Sequence, residues 1–382
     1  MVGGGAEHRL RVAEFGCQSL AEVGPHALGV TYWFDPPAEG GPSVVTVRFT
    51  GRRTGVKGRP GPQDRFDVLE TVEDVVPGSG PIAVTKRIHG IAPGSWEVTA
   101  TPADRVGRPS RSTRPSRSTR APAARRSAAG ATASGTTLFA PLVDVLAPGA
   151  RPGSWSALVA FGALISLTVQ ALLAMHESLP VTRVLAVSMV ASVIGLAGAK
   201  VYYVIVNRDA RRGLSALTGG MCIQGFVIAA IATVLVGAPL AGLAVLTLLD
   251  VTAPALLFGM TIGRVGCLLG GCCVGRPTAS RWGMWSSDRR LGMRRIPIQL
   301  LESSTALALG VVAAAVVWTG ASQPAGATFV GSMAAYTLAR QLLFPLRAGA
   351  RRTTHGRVIT LVVSALVFTA AVAAVIAAGP QV

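Results

Sequence analysis

Residues 263–278 read Gly263-Arg264-Val265-Gly266-Cys267-Leu268-Leu269-Gly270-Gly271-Cys272-Cys273-Val274-Gly275-Arg276-Pro277-Thr278, and they continue an apolar run that begins near residue 240. Glycine permits backbone shapes and close approaches that other residues forbid. Arginine within or beside an apolar span is costly, so it marks a functional contact by default. The run itself decides the fold class, because it is one of seven. The others cover residues 155–175, 183–206, 221–237, 298–319, 326–346 and 357–378. Each is near the roughly 20 residues that cross about 30 Å of hydrocarbon, with 221–237 on the short side. The expected fold is therefore a multi-pass α-helical membrane protein of about seven transmembrane helices, residues 154–378, behind an N-terminal all-β domain. A shorter apolar stretch, 138–149, is expected at the membrane interface.

The bulk composition agrees. Of 382 residues half are hydrophobic, the net charge is +18 and the mean hydropathy is +0.49. Beside so many apolar spans, a basic surplus points to anionic headgroups rather than nucleic acid. Residues 1–15 hold no apolar core of a secretory signal, and none is expected. The five cysteines, Cys17, Cys222, Cys267, Cys272 and Cys273, are odd in number and clustered, unlike a disulfide framework.

After a short tail (1–13), residues 14–103 alternate as half-buried strands do. Val45, Val47 and Phe49 form one such set; Ile82, Val84 and Ile88 a second; Trp96, Val98 and Ala100 a third. A β-sandwich is expected, and Ile88 to Ala100 resembles a late hairpin of fibronectin type III domains. His26 and His89 have no Cys, Asp or Glu set around them and read as strand or surface residues. Residues 104–153 are expected to be linker, with Arg-Pro-Ser-Arg-Ser-Thr repeated at 108–113 and 114–119. That composition buries too little apolar surface to order itself. It can tether to anionic lipid, carry phosphates on its serines, or simply be solvated.

Arginines concentrate in the connections 207–220, 264–297 and 347–357, while 176–182, 238–239 and 320–325 have almost none. The positive-inside rule places the basic loops, and with them the β domain, in the cytoplasm. Trp282 and Trp285 are expected to anchor at the headgroup level.

The run Asp250-Val251-Thr252-Ala253-Pro254-Ala255-Leu256-Leu257-Phe258-Gly259-Met260-Thr261-Ile262-Gly263-Arg264-Val265-Gly266 resembles the signature region of prolipoprotein diacylglyceryl transferases. Further pieces are similar in matching order: Gly198-Ala199-Lys200-Val201-Tyr202-Tyr203, Gly219-Gly220-Met221-Cys222-Ile223-Gln224-Gly225, Pro297-Ile298-Gln299-Leu300-Leu301-Glu302 and Tyr336-Thr337-Leu338-Ala339-Arg340. The resemblance covers about residues 155–378. It implies a seven-helix bacterial plasma-membrane enzyme that moves diacylglyceryl from phosphatidylglycerol to the lipobox cysteine thiol of prolipoproteins, facing the outer side, opposite to the charge count. It implies a phosphate site at Arg264 with Gly266, Gly271, Gly275 and Arg276, and catalytic positions at Tyr203, Gln224 and Arg340. Neither cofactor nor metal is implied.

The departures from the family pattern are specific. Gln224 stands where the family has histidine, and glutamine orients a thiol but cannot take its proton. Cys267 and Gly270 replace asparagines, Cys272 replaces a common glutamate, and Phe344 replaces the glutamate four residues after Arg340. The alternative reading is thus a catalytically impaired paralogue that binds anionic phospholipid and recruits an unknown partner through its β domain. Arginine's planar fork suits a phosphate in either case, with glycine N–H groups nearby. Arg276 also reads as a flanking residue that snorkels. Asp250 and Arg340 read as possible ion-pair partners. The three clustered cysteines read first as small residues in a helix contact. A zinc site lacks the usual four ligands and nearby histidine, and a Cys272–Cys273 disulfide is strained.

Overall fold

A computed structural model describes residues 8–15, 23–103, 130–206, 222–349 and 355–378. The expected disorder of the repeats, the loop 207–220 and Cys17 lie outside these residues. The described chain divides into two units. The first comprises residues 1–155, 267–299 and 346–349, and the second residues 156–266, 300–345 and 350–382.

The first unit is the β domain. Its strands are β1 (Arg9–Val12), β2 (His26–Phe34), β3 (Ser43–Arg53), β4 (Arg65–Val75), β5 (Ile82–His89), β6 (Ser95–Ala103), β7 (Ala131–Thr136), β8 (Leu138–Phe139), β9 (Met284–Ser287) and β10 (Leu291–Arg295), with a short helix α1 (Ala140–Val145) after β8. One sheet runs β1-β2-β5-β10-β9, with β8 also on β2; the other runs β4-β3-β6-β7. All the pairings are antiparallel. The alternating sets supply the core: Val47 and Phe49 of β3, Ile82, Val84 and Ile88 of β5, and Trp96, Val98 and Ala100 of β6 are all buried in one cluster drawn from both sheets. Trp96 donates its indole N–H to the Ala92 carbonyl at 3.2 Å, so the largest buried ring leaves no orphan donor.

The limits of the domain differ from the expected ones in two places. Strands β7 and β8 and helix α1 fall at 131–145, inside the stretch assigned to the linker. Their strand signal is weak because Ala131, Ala133 and Gly135 are small, yet β7 pairs with β6 in register, Val98 opposite Ala133. The second difference is larger. The arginine-rich connection 264–297 contains a β-hairpin whose strand β10 pairs with β5, Leu291 opposite Val84 and Gly292 opposite Ala83. Leu291 and Met293 enter the sandwich core at 8% and 2% exposure. Trp285, expected at a membrane interface, stacks on Trp33 with ring centroids 5.5 Å apart and donates to the Pro81 carbonyl at 2.9 Å. Trp282 is 75% exposed. Arg87 closes the corner: its guanidinium donates to the carbonyls of Val143, Leu146 and Arg289. Burial lowers its pKa from the usual arginine value, with Asp144 offsetting part of the effect.

The second unit is helical. Its helices are α2 (Ser154–His176), α3 (Val181–Val206), α4 (Ile223–Leu240), α5 (Val245–Gly270), α6 (Ile298–Trp318), α7 (Ala327–Leu343) and α8 (Gly356–Ala378). All seven apolar stretches are thus helices. Five of them, α2, α3, α5, α6 and α8, are long and apolar enough to cross a membrane, while α4 and α7 are shorter. Large apolar side chains such as Val193, Leu240, Leu366 and Ile376 are exposed, as lipid-facing residues are. The multi-pass membrane fold follows from these helices.

Small residues set the helix crossings. A Cβ built on Gly198 would lie 2.7 Å from the Gly225 carbonyl oxygen, so α3 and α4 meet backbone to backbone. Gly162 and Gly259 make the same kind of crossing between α2 and α5. Asp250 is 3% exposed and sits on α5, but among the described residues it pairs with no arginine side chain. Its carboxylate accepts the N–H groups of Gly326 at 2.6 Å and Phe329 at 2.9 Å. It therefore caps the N-terminus of α7, where unpaired N–H groups and the helix dipole favour a negative charge. The expected pairing with Arg340 is corrected on this point, because Arg340 lies in the last turn of α7 and Asp250 meets the first.

Two variants test these assignments. Met293→Ala should destabilise the β domain by about 2–5 kcal/mol, as emptying a buried methionine site does, whereas Trp282→Ala should change it by less than about 0.5 kcal/mol. Denaturant unfolding of the full chain in detergent, followed by hydrogen exchange in β5, distinguishes the two. Asp250→Ala should cost about 1–2 kcal/mol through the lost cap, with faster amide exchange at Gly326 and Phe329 and none of that effect at α2.

Candidate active site

Arg264 is the centre of the helical unit's polar interior. It lies on α5 with its side chain 13% exposed, and its Nη1 is 3.1 Å from Glu302 Oε2 on α6, whose side chain is 1% exposed. That oxygen is close enough for an ion pair but lies off the hydrogen-bonding direction. The Arg264 Nε and Nη2 groups donate to the Tyr336 hydroxyl on α7 at 3.4 and 3.3 Å, both long for N–H···O bonds. Three helices thus converge on one guanidinium, with a carboxylate and a phenol among its partners.

Local packing explains why these side chains meet. Ser303, next to Glu302, donates to the Thr261 carbonyl at 2.7 Å, which locks α6 against α5 one turn before Arg264. Leu257, Ala306, Ala313 and Tyr336 form a small apolar cluster that seats the phenol. The Asp250 cap fixes where α7 begins, and so where Tyr336 falls along it. Arg340 follows Tyr336 by four residues, on the same face of α7.

The other expected positions distribute as follows. Tyr203 is on α3, with the Lys200 ammonium 5.9 Å from its ring centroid. Gln224 opens α4, exposed, and its Oε1 accepts the Cys222 thiol at 2.6 Å. The adjacent Gly225 is the crossing glycine, so the α3–α4 contact sets the height of Gln224. Gly266 is buried on α5. Gly271, Gly275 and Arg276 belong to the β unit, where packing within the chain accounts for both glycines. Gly271 has φ +70° and a Cβ there would meet the Ser287 carbonyl at 2.9 Å, while one on Gly275 would fall 2.1 Å from the Ile296 carbonyl oxygen. The Arg276 side chain is exposed, and its N–H donates to the Leu346 carbonyl at 2.9 Å.

Glu302 and Tyr336 were not among the expected site residues, although both belong to stretches that carry the family resemblance. Their sequence signal was an acidic residue in the first turns of an apolar span and a tyrosine one helical turn before Arg340. An apolar groove of about 180 Å³ also opens between α6, α7 and α8, lined by Leu309, Val312, Gly331, Phe368 and Ile376. Its lining is apolar. In the β unit, the Cys272 thiol is raised well above the usual range by hydrogen bonds with Cys267 and Cys273 and by burial.

The family model for prolipoprotein diacylglyceryl transferase matches residues 151–377. The phosphatidylglycerol–prolipoprotein diacylglyceryl transferase of Bordetella parapertussis is 34% identical over 115 residues, 30% of this chain and 43% of the relative. That of Finegoldia magna is 30% identical over 132 residues, covering 33% of this chain and 53% of the relative. The second such enzyme of Clostridium perfringens is 30% identical over 159 residues, 38% of this chain and 59% of the relative. The chain thus matches about half the length of these curated relatives. With the model match spanning most of the chain and the helical unit within it, the chain belongs to the prolipoprotein diacylglyceryl transferase family.

Proposed function

We propose that this protein transfers the diacylglyceryl group of phosphatidylglycerol to the lipobox cysteine thiol of prolipoproteins, in a bacterial plasma membrane. The observation that carries the proposal is the convergence of Arg264, Glu302 and Tyr336 inside a helical unit that matches the family. In the reaction a sulfur–carbon bond forms at the glyceryl carbon and the carbon–oxygen bond to phosphate breaks. Glycerol phosphate leaves, and the thiol proton must go to a base.

Arg264 suits the phosphate end of this reaction. Its fork can satisfy two phosphate oxygens in charge-assisted hydrogen bonds. Arg340, on the same face of α7 as Tyr336, supplies a second cation for the leaving group. Glu302, buried 3.1 Å from Arg264, is the carboxylate of this site and takes the role of general base that Gln224 cannot. Tyr203 and Gln224, on the crossing helices α3 and α4, orient the thiol. The apolar groove between α6, α7 and α8 offers a segment of one acyl chain a surface to lie along.

The test is expression in a bacterial strain depleted of its own transferase, scored by mass spectrometry of a lipobox reporter. The wild-type chain should restore the diacylglyceryl-modified reporter. Arg264→Ala should lose both modification and phosphatidylglycerol binding. Glu302→Gln, matched for membrane protein level, should keep lipid binding and lose modification by about 100-fold or more, the scale of a removed general base. Lipid binding that depends on Arg264, with no modification by the wild-type chain, would instead establish the phospholipid-binding paralogue.

A further inference from the structure

Outside the Arg264 site, the chain brings three thiols together where α5 ends. The helix closes with Gly271 in the left-handed region at φ +70° and a Cys272 N–H to Cys267 carbonyl bond of 3.0 Å. This is the six-to-one closure of a Schellman cap, which lays the residue after the glycine back over the helix's last turn. Cys272 is thereby folded onto Cys267. The next residue, Cys273, also has a positive φ, +53°, which is unfavourable for a residue with a Cβ. The result is that the Sγ atoms of Cys267, Cys272 and Cys273 all lie within 4.8 Å of one another. None of the three is in a disulfide.

We propose that Cys267, Cys272 and Cys273 form a three-thiolate site for a soft d10 cation, of the class of Cu(I) or Zn(II). With metal–sulfur bonds of about 2.3 Å, three thiolates around one cation stand about 4 Å apart, so the cluster needs only a small contraction to close. The donor set is purely sulfur, which selects soft cations over magnesium or calcium. Three thiolates outweigh the charge of one such cation, and the neighbouring hairpin supplies positive charge against the excess: Arg289 donates from Nε to the Gly270 carbonyl at 2.7 Å, while Arg295 is paired with Asp288 at 3.1 Å. The carbonyl of Cys272 is itself held by Gln299 Nε2 at 3.0 Å, so the loop that presents two of the three thiols is fixed at its base. Sequence spacing hides the site, because a four-residue gap followed by a vicinal pair is not a familiar metal pattern. The Schellman closure turns that spacing into a cluster. The proposal stands apart from the transferase reading, since none of its three thiols is assigned to that reaction.

The experiment uses the full chain, purified reduced and metal-free in detergent. Titration with Cd(II), followed by the ultraviolet thiolate-to-metal charge-transfer band, should saturate at one ion per chain. Zn(II) and Cu(I) should compete for the same site. Saturation should protect Cys267, Cys272 and Cys273 from alkylation, located by peptide mass spectrometry, while Cys222 stays reactive. Cys273→Ser, at the exposed member of the cluster, should weaken binding at least 10-fold without loss of the helical circular-dichroism signal, and Cys267→Ser should do the same. Cys222→Ser should bind as the wild type does. Absence of the charge-transfer band, binding unchanged in Cys273→Ser and Cys267→Ser, or a disulfide between two of the three in place of metal binding would each overturn the proposal.

Discussion

The helical unit depends on one buried ion pair. Arg264 and Glu302 are both drawn out of water, where a lone charge of either sign is prohibitively costly. Once α5 carries the arginine, α6 must bring the carboxylate within reach, and α7 must bring a hydroxyl. Each of these helices is then fastened by a separate uncharged or capping contact: Ser303 to the Thr261 carbonyl, and Asp250 to the first turn of α7. A buried pair of this kind adds little net stability against a well-packed apolar alternative. Under the proposed reaction, its use is a cation already drawn out of water and placed for a phosphate.

Asp250 illustrates how the same residue type takes different roles by position. An acid in an apolar helix invites a search for an arginine partner, and Arg340 was the available one. The chain instead uses Asp250 on the N-terminus of α7, where several N–H groups and the helix dipole together do the work of a counter-ion. The consequence reaches the site, because the starting point of α7 decides which of its residues face Arg264.

In the other unit, the ordering principle is strand pairing across long sequence distance. The hairpin of β9 and β10 is separated from β5 by nearly two hundred residues, yet it supplies Leu291 and Met293 to the sandwich core and Trp285 to a stack on Trp33. The insertion also explains the glycines between α5 and the hairpin. Gly271 terminates the helix and Gly275 lets the chain pass against the Ile296 carbonyl, so their small size serves the fold before any ligand.

What the sequence determined by itself is the part governed by local pattern. Seven apolar runs of spanning length, the alternation at Val45 to Phe49 and Trp96 to Ala100, and the cost of an arginine at 264 each depend on residues within one element. They were legible for that reason, as was the family's signature around Arg264. What only the tertiary structure decided depends on which elements meet. The strand at 291–295 was hidden by its arginines, since an edge of alternating Met293 with charged neighbours resembles a membrane-flanking loop. Glu302 and Tyr336 became site residues only when α6 and α7 closed on α5. The three cysteines became a cluster only through the turn at Gly271. In each case the deciding interaction joins groups that no local period relates, so folding alone could bring them together.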